Sequence, residues 1–82
     1  MDKIMTAPKE QRMVAVRTRL KELREAKSLD RMDIVRLAEI SYPTVVRWEN
    51  EPLKELDVEV LMRICNVLKC TLEEFLVTEY EE

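Results

Sequence analysis

The residue types that most often do chemistry are depleted in this 82-residue chain, which has no histidine, no glycine and two cysteines. Without histidine there is no Ser-His or Cys-His pair, and zinc loses its commonest ligand. Average usage would supply roughly six glycines, and their absence removes phosphate-cradling loops and Rossmann turns, which need a residue without a Cβ. Cys65 and Cys70 have no third or fourth ligand beside them, so they read as reduced, largely buried thiols rather than a metal site. Glu73, Glu74 and Glu79 have no nucleophile or base partner. They suit a helix N-terminus and a solubilising tail, and no enzyme, metal or cofactor is expected.

Charge is the chemistry that remains. Residues 1–47 hold eleven Lys/Arg against seven Asp/Glu, and residues 48–82 hold three against ten, within an overall charge of −3. Such a split suggests one face for a polyanion and another kept away from it or used for a protein partner.

The length allows one domain with a small core. The longest uncharged stretch, Ile40 to Val46, is far below the ~20 residues that span a bilayer. The N-terminus has no apolar signal region, so a cytoplasmic protein is expected.

The elements that must position these charges read as helices. Met13, Val16, Leu20 and Leu23 recur at spacings of three and four, predicting a first helix over 8–27 with Thr6 as cap and Pro8 in its first turn. Asp30, Ser41, Asp57 and Thr71 each sit between an apolar residue and another four positions beyond the cap, the hydrophobic staple of a helix start. Thr71 and Glu74 form a capping box. The predicted spans are 31–38, 42–49, 58–68 and 72–77, giving an all-α, five-helix domain with an N-terminally extended first helix. Residues 1–15 form that extension, 16–76 the helix-turn-helix domain and 77–82 an acidic, fraying tail.

The second and third helices are short and about three residues apart, the spacing of a helix-turn-helix. Ile34, Val35, Ala38, Ile40, Val45 and Trp48 point into the angle between them. Ser41, Tyr42, Pro43, Thr44, Val46 and Arg47 are left on an outer face that could enter a major groove.

The run Arg19-Leu-Lys-Glu-Leu-Arg24, the segment Ser41-Tyr-Pro-Thr-Val-Val-Arg-Trp-Glu-Asn50 and the later Leu61, Ile64, Leu68, Thr71, Glu74 and Phe75 together resemble the Cro/phage-repressor (Xre) helix-turn-helix family. The resemblance covers about Val16 to Leu76. It implies a lambda-repressor-like fold and a sequence-specific, usually dimeric regulator of transcription, bacterial or phage-encoded and nucleoid-associated when bound. By this resemblance Tyr42, Pro43, Val46 and Arg47 face base edges, with Arg47 suited to guanine and the other three to a thymine methyl. Arg31, Ser41, Thr44 and Asn50 would contact phosphates; Arg31 stands where the family usually has Gln. Arg24 and Glu49 match an ion pair that orients the third helix.

Two functional readings follow. One is a homodimeric regulator bound to double-stranded DNA, its dimer surface either Leu76, Val77 and Tyr80 or the N-terminal Ile4, Met5 and Met13. The other, motivated by the acidic second half, is an antitoxin-like or regulator-binding interaction module on the same scaffold. The resemblance also marks Ser28, Glu39, Glu51 and Lys69 as places where glycine is common. Either those residues accept a left-handed backbone at their helix ends or the helices end by another geometry, with Glu39 in the turn that sets the helix-turn-helix angle.

Overall fold

The computed structural model of the chain describes residues 12–81. In chain order it forms β1 (Arg12–Thr18), α1 (Leu20–Ala26), α2 (Arg31–Ala38), α3 (Tyr42–Asn50), α4 (Val58–Leu68), α5 (Leu72–Phe75) and β2 (Leu76–Glu81). Five helices are present among the described residues, but the all-α expectation is overturned. β1 and β2 pair antiparallel in a two-stranded sheet.

The N-terminally extended first helix is corrected with it. Residues 12–18 are strand, and α1 begins only at Leu20. The expected cap Thr6 and first-turn Pro8 lie outside the described residues. The C-terminal residues Leu76–Glu81 do not fray as expected but form the second strand. The physical reason is composition and partnership. Val14, Val16 and Thr18 in one segment, and Val77, Thr78 and Tyr80 in the other, favour a pleated surface. Pairing them satisfies backbone groups that a frayed end would leave to water. Met13, placed on the helix stripe by its spacing, instead lies opposite Tyr80 and is 63% exposed. Arg12–Glu81 at 3.4 Å and Arg17–Glu79 at 3.1 Å fix the cross-strand register while adding little stability in solvent.

The ribbon is stitched to the helices by backbone. Arg19 N–H donates to Phe75 C=O at 2.8 Å, and Leu53 N–H donates to Val16 C=O at 2.8 Å. Beneath it lies the core of Leu20, Ile34, Ala38, Ile40, Val45, Trp48, Leu61, Ile64, Cys65, Leu68 and Phe75. Burial, reinforced by the neighbouring Cys70, pushes the Cys65 thiol up to about 11, so it is un-ionised near neutrality.

The helix starts follow their caps. Asp30 accepts from Asp33 N–H at 2.8 Å while the Asp33 carboxylate accepts from Asp30 N–H at 2.9 Å. Asp57 accepts from Glu59 and Val60, and Thr71 and Glu74 cap each other.

At the helix ends, Ser28, Glu39 and Lys69 take φ of 59°, 58° and 57°. Beyond them Leu29, Ile40 and Cys70 return N–H bonds to Arg24, Val35 and Cys65, closing each helix in a Schellman-like turn. At Glu51 the other alternative holds: the residue is extended at φ −128°, and α3 leads straight into the following loop. Glycine should therefore stabilise only the left-handed sites. Lys69→Gly and Glu39→Gly are expected to raise unfolding free energy by up to ~1 kcal/mol, and Glu51→Gly to lower it, in urea titrations.

Candidate nucleic-acid interface

The helix-turn-helix is α2, the turn Glu39-Ile40-Ser41 and α3. Ile40 is buried in the turn, so the chain is pinned between the two helices. The Ser41 hydroxyl accepts from Thr44 N–H at 3.3 Å and lies 2.8 Å from the Thr44 hydroxyl. Both side chains, expected on phosphates, thus open α3. Pro43 sits in the first turn, where no amide is needed.

α3 buries Val45 and Trp48 and turns the opposite stripe outward. Tyr42, Pro43, Arg47 and Asn50 are exposed, and Val46 is half-buried. The four residues expected on base edges therefore share one face. Arg47 also lines a groove with Trp48, Pro52, Leu53, Lys54 and Glu55, which brings the acidic loop after α3 beside the end of that face.

Behind the face lies a three-residue charge cluster. Glu49, whose side chain is 0% exposed, accepts from Arg24 Nε at 2.6 Å and Nη2 at 3.3 Å, and from Arg31 Nε at 2.9 Å. Arg24 Nη1 also donates to Leu29 C=O at 3.1 Å. Two arginines from α1 and α2 therefore meet on one carboxylate from α3. Burial by itself would raise the Glu49 carboxyl, but the hydrogen bonds and charges of Arg24 and Arg31 outweigh it and hold the group below its ordinary range. Arg24 is raised, chiefly by its bond to Glu49 against the opposing effect of burial.

Arg31, expected on a phosphate, also bonds within the protein. Its Nε is directed inward onto Glu49, and its Nη1 reaches the Tyr42 hydroxyl at 3.5 Å. These hydrogen bonds, that to Tyr42 foremost, raise its pKa. The guanidinium is thus braced at the first residue of α2, against the first residue of α3.

Two positioning residues had no local signal in the sequence. The Thr18 hydroxyl donates to Trp48 C=O at 2.7 Å, holding the last turn of α3 from the ribbon. Arg63 Nη1 donates to Glu39 C=O at 3.2 Å, and its Nη2 pairs with Glu59 at 2.9 Å, holding the helix-turn-helix turn from α4. A threonine 30 residues from its acceptor carries no periodic mark. The Arg63–Glu59 spacing of i, i+4 is that of any surface helix pair and does not single out the turn.

Arg19 Nη1 donates to Glu74 C=O at 2.8 Å, so this cation braces α5. Among the described residues no three of Cys, Asp and Glu gather as metal ligands, and no helix is long and apolar enough to cross a membrane.

Comparison with known proteins places the same elements in one family. A family model described as a Cro/C1-type HTH DNA-binding domain matches residues 19–81, from the residue before α1 to the end of β2. Searches of curated proteins and of solved structures give no match. With a helix-turn-helix capped at both starts, an exposed outer face on α3 and a family match over most of its length, the chain belongs to the Cro/C1-type helix-turn-helix DNA-binding family and is a DNA-binding regulator.

Proposed function

We propose that the chain is a sequence-specific transcriptional regulator that inserts α3 into the major groove and works as a homodimer in the cytoplasm. The observation that carries this reading is the outer stripe of Tyr42, Pro43, Val46 and Arg47, on a helix whose opposite side is locked by Val45, Trp48 and the buried Glu49. The left-handed Glu39 supports it, since the expected turn between the helices is kept without glycine.

Arg47 reads guanine with its fork of donors, and Tyr42, Pro43 and Val46 supply apolar contact to thymine methyls. Arg31 offers its outer N–H groups to a phosphate while Glu49 holds its position. Thr44, Ser41 and Asn50 line the phosphate flanks, and Arg24 with Glu49 orients α3.

The acidic loop after α3 opposes the counterion-release contribution. Modest affinity outside the cognate site is the expected consequence, with specificity gained from two half-sites about one helical turn apart.

Selection from a random DNA pool, followed by titration at several salt concentrations, tests the reading. A palindromic site and a steep fall of affinity with salt are expected. Arg47→Ala should weaken the selected site by roughly 10- to 100-fold and relax one base position, and Arg31→Ala should weaken all sequences alike. Absence of DNA binding at low salt by a folded dimer would overturn it in favour of an interaction module built on the acidic half.

A further inference from the structure

We infer that Arg63 of α4 is a specificity-determining positioning residue: bonded to the backbone of the turn between α2 and α3, it sets the pose in which α3 meets base edges without itself touching DNA. The inference rests on the proposed reading of DNA by α3 and adds a residue outside the DNA-facing stripe.

The turn needs an outside donor. α2 ends at Ala38 and reverses through Glu39, which holds φ 58° and ψ 51° with a Cβ where glycine would sit without cost. The amides of Glu39 and Ile40 both turn back onto Val35 C=O. The carbonyls of Ala38 and Glu39 then lie at the end of α2, where a helix has no donor of its own to offer. Arg63 Nη1 supplies one, at 3.5 Å from Ala38 C=O and 3.2 Å from Glu39 C=O. Its Nη2 is held by Glu59, one turn earlier on α4, at 2.9 Å. The planar guanidinium is therefore clamped on both sides, with its positive charge at the negative end of α2.

The same device recurs at the entrance to α2. Ser28 is left-handed at φ 59°, and Arg24 Nη1 donates to the next carbonyl, that of Leu29, at 3.1 Å. Both left-handed turns that bracket α2 thus carry an arginine on their carbonyls. In a chain without glycine, these two side chains hold backbone that an unstrained residue would otherwise hold by itself.

The exit turn is the one that aims α3. Only Ile40 and Ser41 separate Glu39 from the first residue of α3, so a rotation of the Glu39–Ile40 peptide passes directly into the helix. The buried Ile40 side chain fixes where the chain runs, and Arg63 fixes how its peptide planes are turned. Base edges are read only when the reading groups are held to within about 0.5 Å and 10–20°. The phosphate contribution is sequence-independent and senses charge more than pose. Arg63 should therefore act on discrimination and leave general attraction to DNA alone.

Titration of the full chain with its selected site and with an unrelated duplex, each at several salt concentrations, tests the inference under conditions where every variant is folded by circular dichroism. Arg63→Ala should lose roughly 10-fold in affinity for the selected site, while its affinity for the unrelated duplex and its salt slope stay parental. Arg63→Lys keeps the charge but offers no fork and should fall in between, which keeps the series readable if alanine costs stability. Glu39→Gly takes the left-handed turn without strain and should recover part of the loss when added to Arg63→Ala. Parental affinity of Arg63→Ala for the selected site would overturn the inference. So would an equal fall for both duplexes with the salt slope reduced by about one, which would make Arg63 a phosphate contact. A parent that binds neither duplex would instead strike the DNA reading, and this inference with it.

Discussion

Replacing Glu49 by alanine should destabilise the domain by roughly 3–5 kcal/mol, because it leaves the buried Arg24 guanidinium without a counter-charge. That is a large part of the 5–15 kcal/mol typical of a whole domain, so the urea midpoint of Glu49→Ala should fall steeply. The other partner, Arg31, is partly exposed and recovers some hydration, so Arg31→Ala should cost far less. Glu49→Gln keeps the shape and one acceptor and should fall between the two.

Acid should reproduce part of this loss. The folded state holds the Glu49 carboxyl below its ordinary value of 4.5. Its contribution is therefore complete above that pH and drains away as pH falls through the lowered value. Asp33 acts in the same direction, held below 3.8 chiefly by the Asp30 backbone N–H against the effect of burial, with Arg36 assisting. Urea midpoints between pH 7 and pH 3 measure the loss, and a midpoint unchanged by acid would refute the assignment. The double variant Arg24→Met/Glu49→Leu separates stability from positioning. An apolar replacement of similar volume should recover most of the stability, yet it frees Arg31 from its brace and should still weaken DNA binding.

The helical body was legible in the sequence for a local reason. Staples, capping boxes and i, i+3, i+4 apolar spacing all act within one or two turns, so α2 and α4 appear at the predicted spans. The ribbon was not legible, because its cause is non-local. Val16 and Thr78 stand 62 positions apart in the chain, and only their pairing makes either segment a strand. The spacing of Met13, Val16, Leu20 and Leu23 fits a helix, but the β-branched Val14, Val16 and Thr18 fit a strand equally well, and a short apolar run does not discriminate.

The outer face of α3 followed from periodicity, so Tyr42, Pro43, Val46 and Arg47 lie together. The third leg of the charge cluster did not follow. Arg31 reads as a phosphate contact at a helix start, and its bond to Glu49 comes only from the crossing of α2 and α3. The glycine-free helix ends divide on the same principle. Ser28, Glu39 and Lys69 are left-handed where the chain must reverse at once into another helix, and Glu51 is not, because a longer loop follows it.

Phe75→Ala should match Glu49→Ala in cost, at roughly 3–5 kcal/mol, since the ring is fully buried and its removal leaves a cavity that cannot collapse. The ring lies tilted against Trp48 with centroids 6.4 Å apart. Its own C=O accepts from Arg19 where β2 departs. One side chain therefore supports both the last turn of the recognition helix and the root of the ribbon. Trp48 is the only tryptophan in the chain, so its emission reports this contact directly. The native spectrum of Phe75→Ala should shift to the red, and the urea midpoint should fall by roughly 2 M at an m-value of 1–3 kcal/mol/M.

Phe75→Leu fills part of the cavity and should keep the fold with a smaller loss. In that folded variant DNA affinity should weaken and amide protection of the ribbon should fall together, because α3 and β2 both lose their seat. Arg47→Ala should weaken DNA binding alone, with amide protection of the ribbon at the parental level. A Phe75→Leu protein with parental Trp48 emission and unchanged amide protection of β2 would show that the ribbon and recognition helix are held independently, and this coupling would be rejected.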